Sequence, residues 1–330
     1  MASNPGPAES DISKHSEPWF EDGNIILETE HTRFKVYKGI LAANSSVFGD
    51  MFAFNQGDVD QMEDNCPIVQ LHDRADDLRV VLNTLHDSKL LKEHQGKFPF
   101  HLLVAYLRLG RKYMITHLLE IAMAKLALEF PTTLQDHQAH FPPEIVLIQS
   151  WPRFIDIRTE NREHFTMVNI LREQNLQRHI PYALFICAAL DFQETEDSKS
   201  PWTLYSQPGS SYHDNQSLSF QDLQACTRGQ KIISRLIYNE TFSWTLLDAN
   251  VSECGINRCH FAKAFLLSDL AWKTRLSSAL SSWDSNWEED ICEGHLAAFR
   301  RRQDEGSQNI WNRLPAIFGM PPWEELLNEA

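Results

Sequence analysis

The chain has 330 residues, 42% hydrophobic and 23% charged, and its 30 Lys and Arg against 45 Asp and Glu give a net charge of −15. This is the composition of a globular protein of about two domains, and it excludes collagenous, disordered and disulfide-scaffold classes. So negative a field repels phosphate backbones, and the only clustered bases are Arg300, Arg301 and Arg302, so nucleic-acid binding is disfavoured throughout.

Residues 1–19 are polar and carry several Ser and Pro. They read as a disordered N-terminal tail without the apolar region of a secretory signal. No apolar run approaches the roughly twenty residues of a membrane span, so no membrane contact is expected and the chain is placed in the cytoplasm or nucleus. Its six cysteines, at 66, 187, 226, 254, 259 and 292, should then stay reduced and serve as buried, reactive or metal-binding thiols.

From Phe20 the pattern changes. Stretches 23–28 and 33–37 read as strands of a hairpin, with 29–32 as its loop. Ser46 is placed to cap a short helix whose face is Val47, Met51 and Phe52. After a polar loop at 55–65, stretch 67–71 reads as a third strand, and Asp73 is placed to cap a helix over about 75–87 with Leu78, Val81, Leu82 and Leu85 on one face. A helical pair follows at 99–113 and 115–129, stopped by Pro131. The implied core contains Phe34, Val36, Leu41, Phe48, Phe52, Leu103, Tyr106, Leu109, Leu118 and Leu126 together with the helix faces just named.

The order of these elements and the run from Phe34 through Lys35-Val36-Tyr37-Lys38-Gly39-Ile40-Leu41-Ala42-Ala43 to Phe52 resemble a BTB/POZ domain, here at residues 20–130. The stretches Leu71-His72-Asp73 and Gly110-Arg111-Lys112-Tyr113 extend the likeness. The resemblance implies an α+β fold, a three-stranded sheet with a helical cluster, used to bind other proteins and not to catalyse. The family usually carries an aspartate ahead of the first strand and a histidine in the second, near its dimer interface; at those positions stand Asn24 and Tyr37, so both charges are gone and only a weak homodimer is expected. Some members dock a cullin through an apolar-x-Glu motif, whose nearest match is Met62-Glu63-Asp64. The function implied is a non-enzymatic interaction module or scaffold. Its alternatives are a cullin-dependent ubiquitin-ligase substrate adaptor, or an enzyme with an unrecognised site in the helical region.

Beyond Pro131 the strands disappear and tryptophans become frequent, so 140–330 reads as a helical C-terminal domain, similar to the carboxyl halves of fungal BTB proteins. Helices are expected at 165–178, 181–191, 219–240, 260–280 and 288–304, with a disordered loop at about 193–217. Trp311 and Trp323 bracket Pro315, Pro321 and Pro322, which predicts an irregular strap whose indoles fill a groove.

No nucleophile elbow, P-loop, dinucleotide fingerprint or zincin motif occurs, and no catalytic residue or organic cofactor is assigned. One constellation carries chemistry. Cys254-x4-Cys259 and Cys292-x2-His295 offer four ligands for a structural zinc, with His260 and Cys226 as substitutes; the same cysteines also suit small buried hydrophobes.

Overall fold

The computed structural model describes residues 14–54, 62–87, 96–141, 153–157, 163–190, 217–246, 259 and 276–328. Contacts divide the chain into two compact units, Met1–Lys125 and Leu126–Ala330.

The sheet of the first unit starts from a turn. Glu30 and His31 both take positive φ, 44° and 58°, which a two-residue hairpin turn of the primed type requires. They fold β2 (Ile25–Thr29) against β3 (Thr32–Val36), pairing Thr29 with Thr32 and Ile25 with Val36. Every residue of β2 is buried, the apolar Ile25, Ile26 and Leu27 as well as Glu28 and Thr29, so the strand shows no alternation of buried and exposed positions. β5 (Cys66–Gln70) lies parallel to the other edge of β2, and β4 (Met62–Glu63) folds back on β5 through Asp64 and Asn65, again both at positive φ.

The fold class holds, but the expected three-stranded sheet has five strands, in the order β1-β3-β2-β5-β4. The additional edge strand β1 (Lys14–Trp19) runs parallel to β3, through the stretch expected to be a disordered tail. Edge strands are held by backbone hydrogen bonds on one side and need no apolar alternation, so neither β1 nor the two-residue β4 announces itself in composition.

Helices α1 (Lys38–Asn44), α2 (Ser46–Phe54), α3 (Ala75–His86), α4 (Phe100–Lys112) and α5 (Thr116–Glu129) complete the region, the unit boundary falling within α5. Two expected caps are taken by neighbours. Ser45, one residue before the expected Ser46, accepts from the Phe48 N–H at 3.0 Å and donates to the Tyr113 carbonyl. Asp73 does not cap α3; the Ala75 N–H goes to Glu30 at 2.8 Å, while Asp73 accepts from Lys112 at 2.6 Å and from the Tyr113 hydroxyl. The expected core side chains are buried except Val47, Met51 and Leu85, which are half-buried at its margin.

The second unit is helical: α6 (Leu134–His140), α7 (Glu163–Glu173), α8 (Ile180–Ala189), α9 (Phe220–Leu236), α10 (Glu293–Ile317) and α11 (Trp323–Asn328). α8 is apolar all round and buried along nearly its whole length, as a central helix must be. α9 runs on into a single π turn, Ile237–Thr241. Gly306 lets α10 meet that turn, because a Cβ there would lie 2.3 Å from the Glu240 carbonyl carbon and oxygen. Beside it the buried Gln303 accepts from the Trp244 indole at 3.0 Å and donates to the Ser282 carbonyl at 2.7 Å.

The expected strap is corrected. Trp311 lies inside α10, which continues through Pro315 to Ile317, and Trp323 opens α11. Proline at 315 has no N–H for the carbonyl four residues back, that of Trp311. The Trp323 indole supplies the missing donor at 2.8 Å, its ring stacked on Trp311 with centroids 5.4 Å apart and planes 7° apart. The helix then ends in a Schellman motif: Gly319 at φ 74°, Met320 N–H to the Pro315 carbonyl and Gly319 N–H to the Ala316 carbonyl. The expected loop at 193–217 lies outside the described residues but for Ser217, as does most of the expected helix at 260–280, of which Leu276–Leu280 is a 3-10 turn.

Candidate functional site

The corner where β2 and β3 meet α1 and α3 carries the residues that the sequence singled out for assembly. Asn24 is exposed and its Oδ1 accepts the Lys38 N–H at 2.8 Å, so it caps α1. Tyr37 donates its hydroxyl to Asp22, which holds the phenol above its ordinary pKa, first through the hydrogen bond and then by burial and charge. Asn24 and Tyr37 themselves carry no charge, but Asp22, two residues before Asn24, places a carboxylate on Tyr37. Phe20 and His86 pack around it with ring centroids 5.0 Å and 5.9 Å from Tyr37. Nδ1 of His86 is 2.7 Å from the Leu82 carbonyl and Nε2 accepts the Tyr37 N–H, so the ring is fixed as the Nδ1–H tautomer; burial lowers its pKa.

At the far edge of the sheet, Met62 is 61% exposed while Glu63 is engaged. Its carboxylate accepts from Arg33 on β3 and sits 2.6 Å from His15 on β1. Arg33 also holds Glu28, and these two acids raise its pKa. Sequence spacing could not have shown this, because the three strands involved are not consecutive.

A family comparison covers about a third of the chain. Residues 17–127 match the BTB/POZ domain. A search of the curated proteins finds no match to the chain. BTB domains are protein-interaction domains, not typically catalytic, and they imply protein partners and self-association. The BTB region also carries the mixed sheet and helical cluster that the resemblance implied, and a helical region follows it. No helix among the described residues is long and apolar enough to cross a membrane.

In the second unit, three of the four expected metal ligands come together. Cys259, Cys292 and His295 offer ligand atoms that all lie within 4.8 Å of one another. Cys292 is the N-cap residue of α10 and His295 lies one turn on, so the C-x2-H spacing brings the sulfur and Nδ1 to 3.2 Å. The Cys292 N–H donates to the Cys259 sulfur at 3.2 Å. Cys254 and His260 lie outside the described residues. Cys226 is elsewhere: its thiol faces the Leu184 carbonyl at 3.7 Å, and burial pushes its pKa up to about 12, a packed thiol and no ligand of this group. Cys187 behaves likewise, and Cys66 is buried against the Gly23 carbonyl at 3.1 Å.

The open apolar surface is found away from the helical pair 99–129, which exposes Met114 as its one large apolar side chain among the described residues. On the second unit a groove of about 770 Å³ runs along α9, lined by Phe220, Leu223, Arg228, Lys231, Ile232 and Phe318, of which Phe220 is 73% exposed.

Proposed function

We propose that the chain is a non-enzymatic scaffold that works by binding other proteins through its BTB domain, and that it is not a cullin-dependent substrate adaptor. The match of residues 17–127 to the BTB/POZ domain carries the first part. What supports the second is Glu63. Its carboxylate, the acid of the one motif that resembles a cullin contact, is drawn into an ion-pair group with Arg33 and His15. Offering it to a partner means breaking the part-buried, charge-assisted hydrogen bond from Arg33, worth about 1.5–3 kcal/mol, and leaving Arg33 short of one acid.

The test uses the purified full chain and a purified cullin amino-terminal domain. The scaffold reading expects no saturable cullin binding, together with concentration-dependent self-association in sedimentation. A tight complex with the cullin that weakens on Glu63→Ala would make the protein an adaptor instead.

A further inference from the structure

We propose that Cys259, Cys292 and His295 bind one zinc ion, forming a clasp that ties the chain at residue 259 to the N-terminus of α10. The donor set decides the class of metal. Two thiols with one imidazole are soft to borderline ligands, which select zinc over magnesium or calcium. Ligands on a tetrahedral zinc lie about 3.5–3.8 Å apart, given bonds of about 2.3 Å to sulfur and 2.0–2.1 Å to nitrogen. The 3.2 Å between the Cys292 sulfur and Nδ1 of His295, and the 4.8 Å limit on the whole group, are close to that geometry.

Two further observations distinguish this group from thiols packed as small hydrophobes. The first is where the sulfurs sit. Cys259 accepts the Cys292 N–H at 3.2 Å, so both sulfurs lie together at the first turn of the 25-residue helix α10. The second is His295, which is 5% exposed and stacked on Phe299 at 5.3 Å. Its Nε2 has no hydrogen-bond partner among the described residues, so the Cys292 sulfur is the one polar neighbour shown for a buried ring. A metal at Nδ1 would leave Nε2 as it is, so the telling atom is Nδ1, which the buried ring turns to the Cys292 sulfur within the ligand group. Binding needs no electron transfer: each thiol gives up its proton to solvent, the neutral imidazole offers its Nδ1 lone pair, and three of the four zinc positions are filled.

The experiment loads the reduced full chain with zinc sulfate, removes loosely held metal by desalting against a weak chelator, and measures metal by mass spectrometry. One zinc per chain is expected, with Cys292→Ser and His295→Gln each lowering zinc affinity by more than about tenfold. Because either variant could misfold, the wild-type chain provides a second readout: zinc should slow alkylation of Cys259 and Cys292, mapped by peptide mass, and leave that of Cys66 unchanged. Absence of retained zinc in the folded wild-type chain, or alkylation of both cysteines at the same rate with and without zinc, overturns the proposal. So does a Cys259–Cys292 disulfide that, once reduced, yields a chain unable to hold the metal.

Discussion

Replacing Trp323 by Phe tests the account of how α10 survives its proline. The substitution keeps a ring to stack on Trp311 but removes the indole N–H, so the Trp311 carbonyl loses the donor that stands in for the absent Pro315 N–H. An acceptor left unpaired in a part-buried site costs about 1–3 kcal/mol, to which the smaller ring adds lost apolar contact. Pro315→Ala isolates the polar component. Alanine at 315 restores an N–H four residues after Trp311, so in that background the carbonyl no longer depends on Trp323. Trp323→Phe should then cost less by about 1 kcal/mol, while the lost ring area is common to both backgrounds and cancels in the cycle. Urea unfolding followed by far-ultraviolet circular dichroism gives the four stabilities. If Trp323→Phe costs the same with Pro315 in place as in the Pro315→Ala background, the indole is not the substitute donor and the reasoning fails.

Two other outcomes follow from buried contacts. Gly306→Ala should destabilise the second unit by about 1–3 kcal/mol or more, because the added methyl meets backbone at Glu240 and Thr241 that no side-chain rotation can clear; a melting temperature unchanged from wild type would show that α10 can slide away from the π turn. Burial lowers the pKa of His137 and His164 to about 3 and of His179 to about 4. The unfolded chain, with these groups at about 6.5, therefore binds more protons than the native one below that pH, and stability should fall as pH drops from about 6.5 toward 3–4, by up to about 1.4 kcal/mol per pH unit for each histidine. His137→Gln, which can still meet the Tyr182 hydroxyl now 2.9 Å from Nδ1, should flatten that slope in calorimetric scans across the window, and an unaltered slope would contradict it.

What the sequence made legible was whatever depends on burial period. β2, β3 and β5, the helical pair α4 and α5, and the apolar α8 follow from where their side chains must point, and so does the BTB-like order of elements. What it hid depends on partners distant in the chain. β1 is defined by backbone pairing with residues about eighteen positions on, which leaves no mark on its own composition. Pro315 reads as a helix stop until Trp323 is known to replace its donor. Asp22, too, is an ordinary turn acid until the fold sets it on Tyr37. For the metal group the local spacing C-x2-H was informative because one helical turn fixes both ends, whereas the arrival of Cys259 beside them is a tertiary fact.

The position of β1 has a practical consequence for anyone trimming the chain. Residues 14–19 look expendable, yet they cover the outer edge of β3, pairing Lys14, His15 and Trp19 with Thr32, Arg33 and Lys35, and the Lys14 N–H meets the His31 carbonyl at 2.7 Å. A chain begun at Phe20 would keep its apolar core and present β3 as a bare row of donors and acceptors, the template on which sheets from separate molecules join edge to edge. Such a shortened protein would then associate through an artificial contact, and its oligomeric state would report the cut and say nothing of how the intact BTB domain meets a second copy.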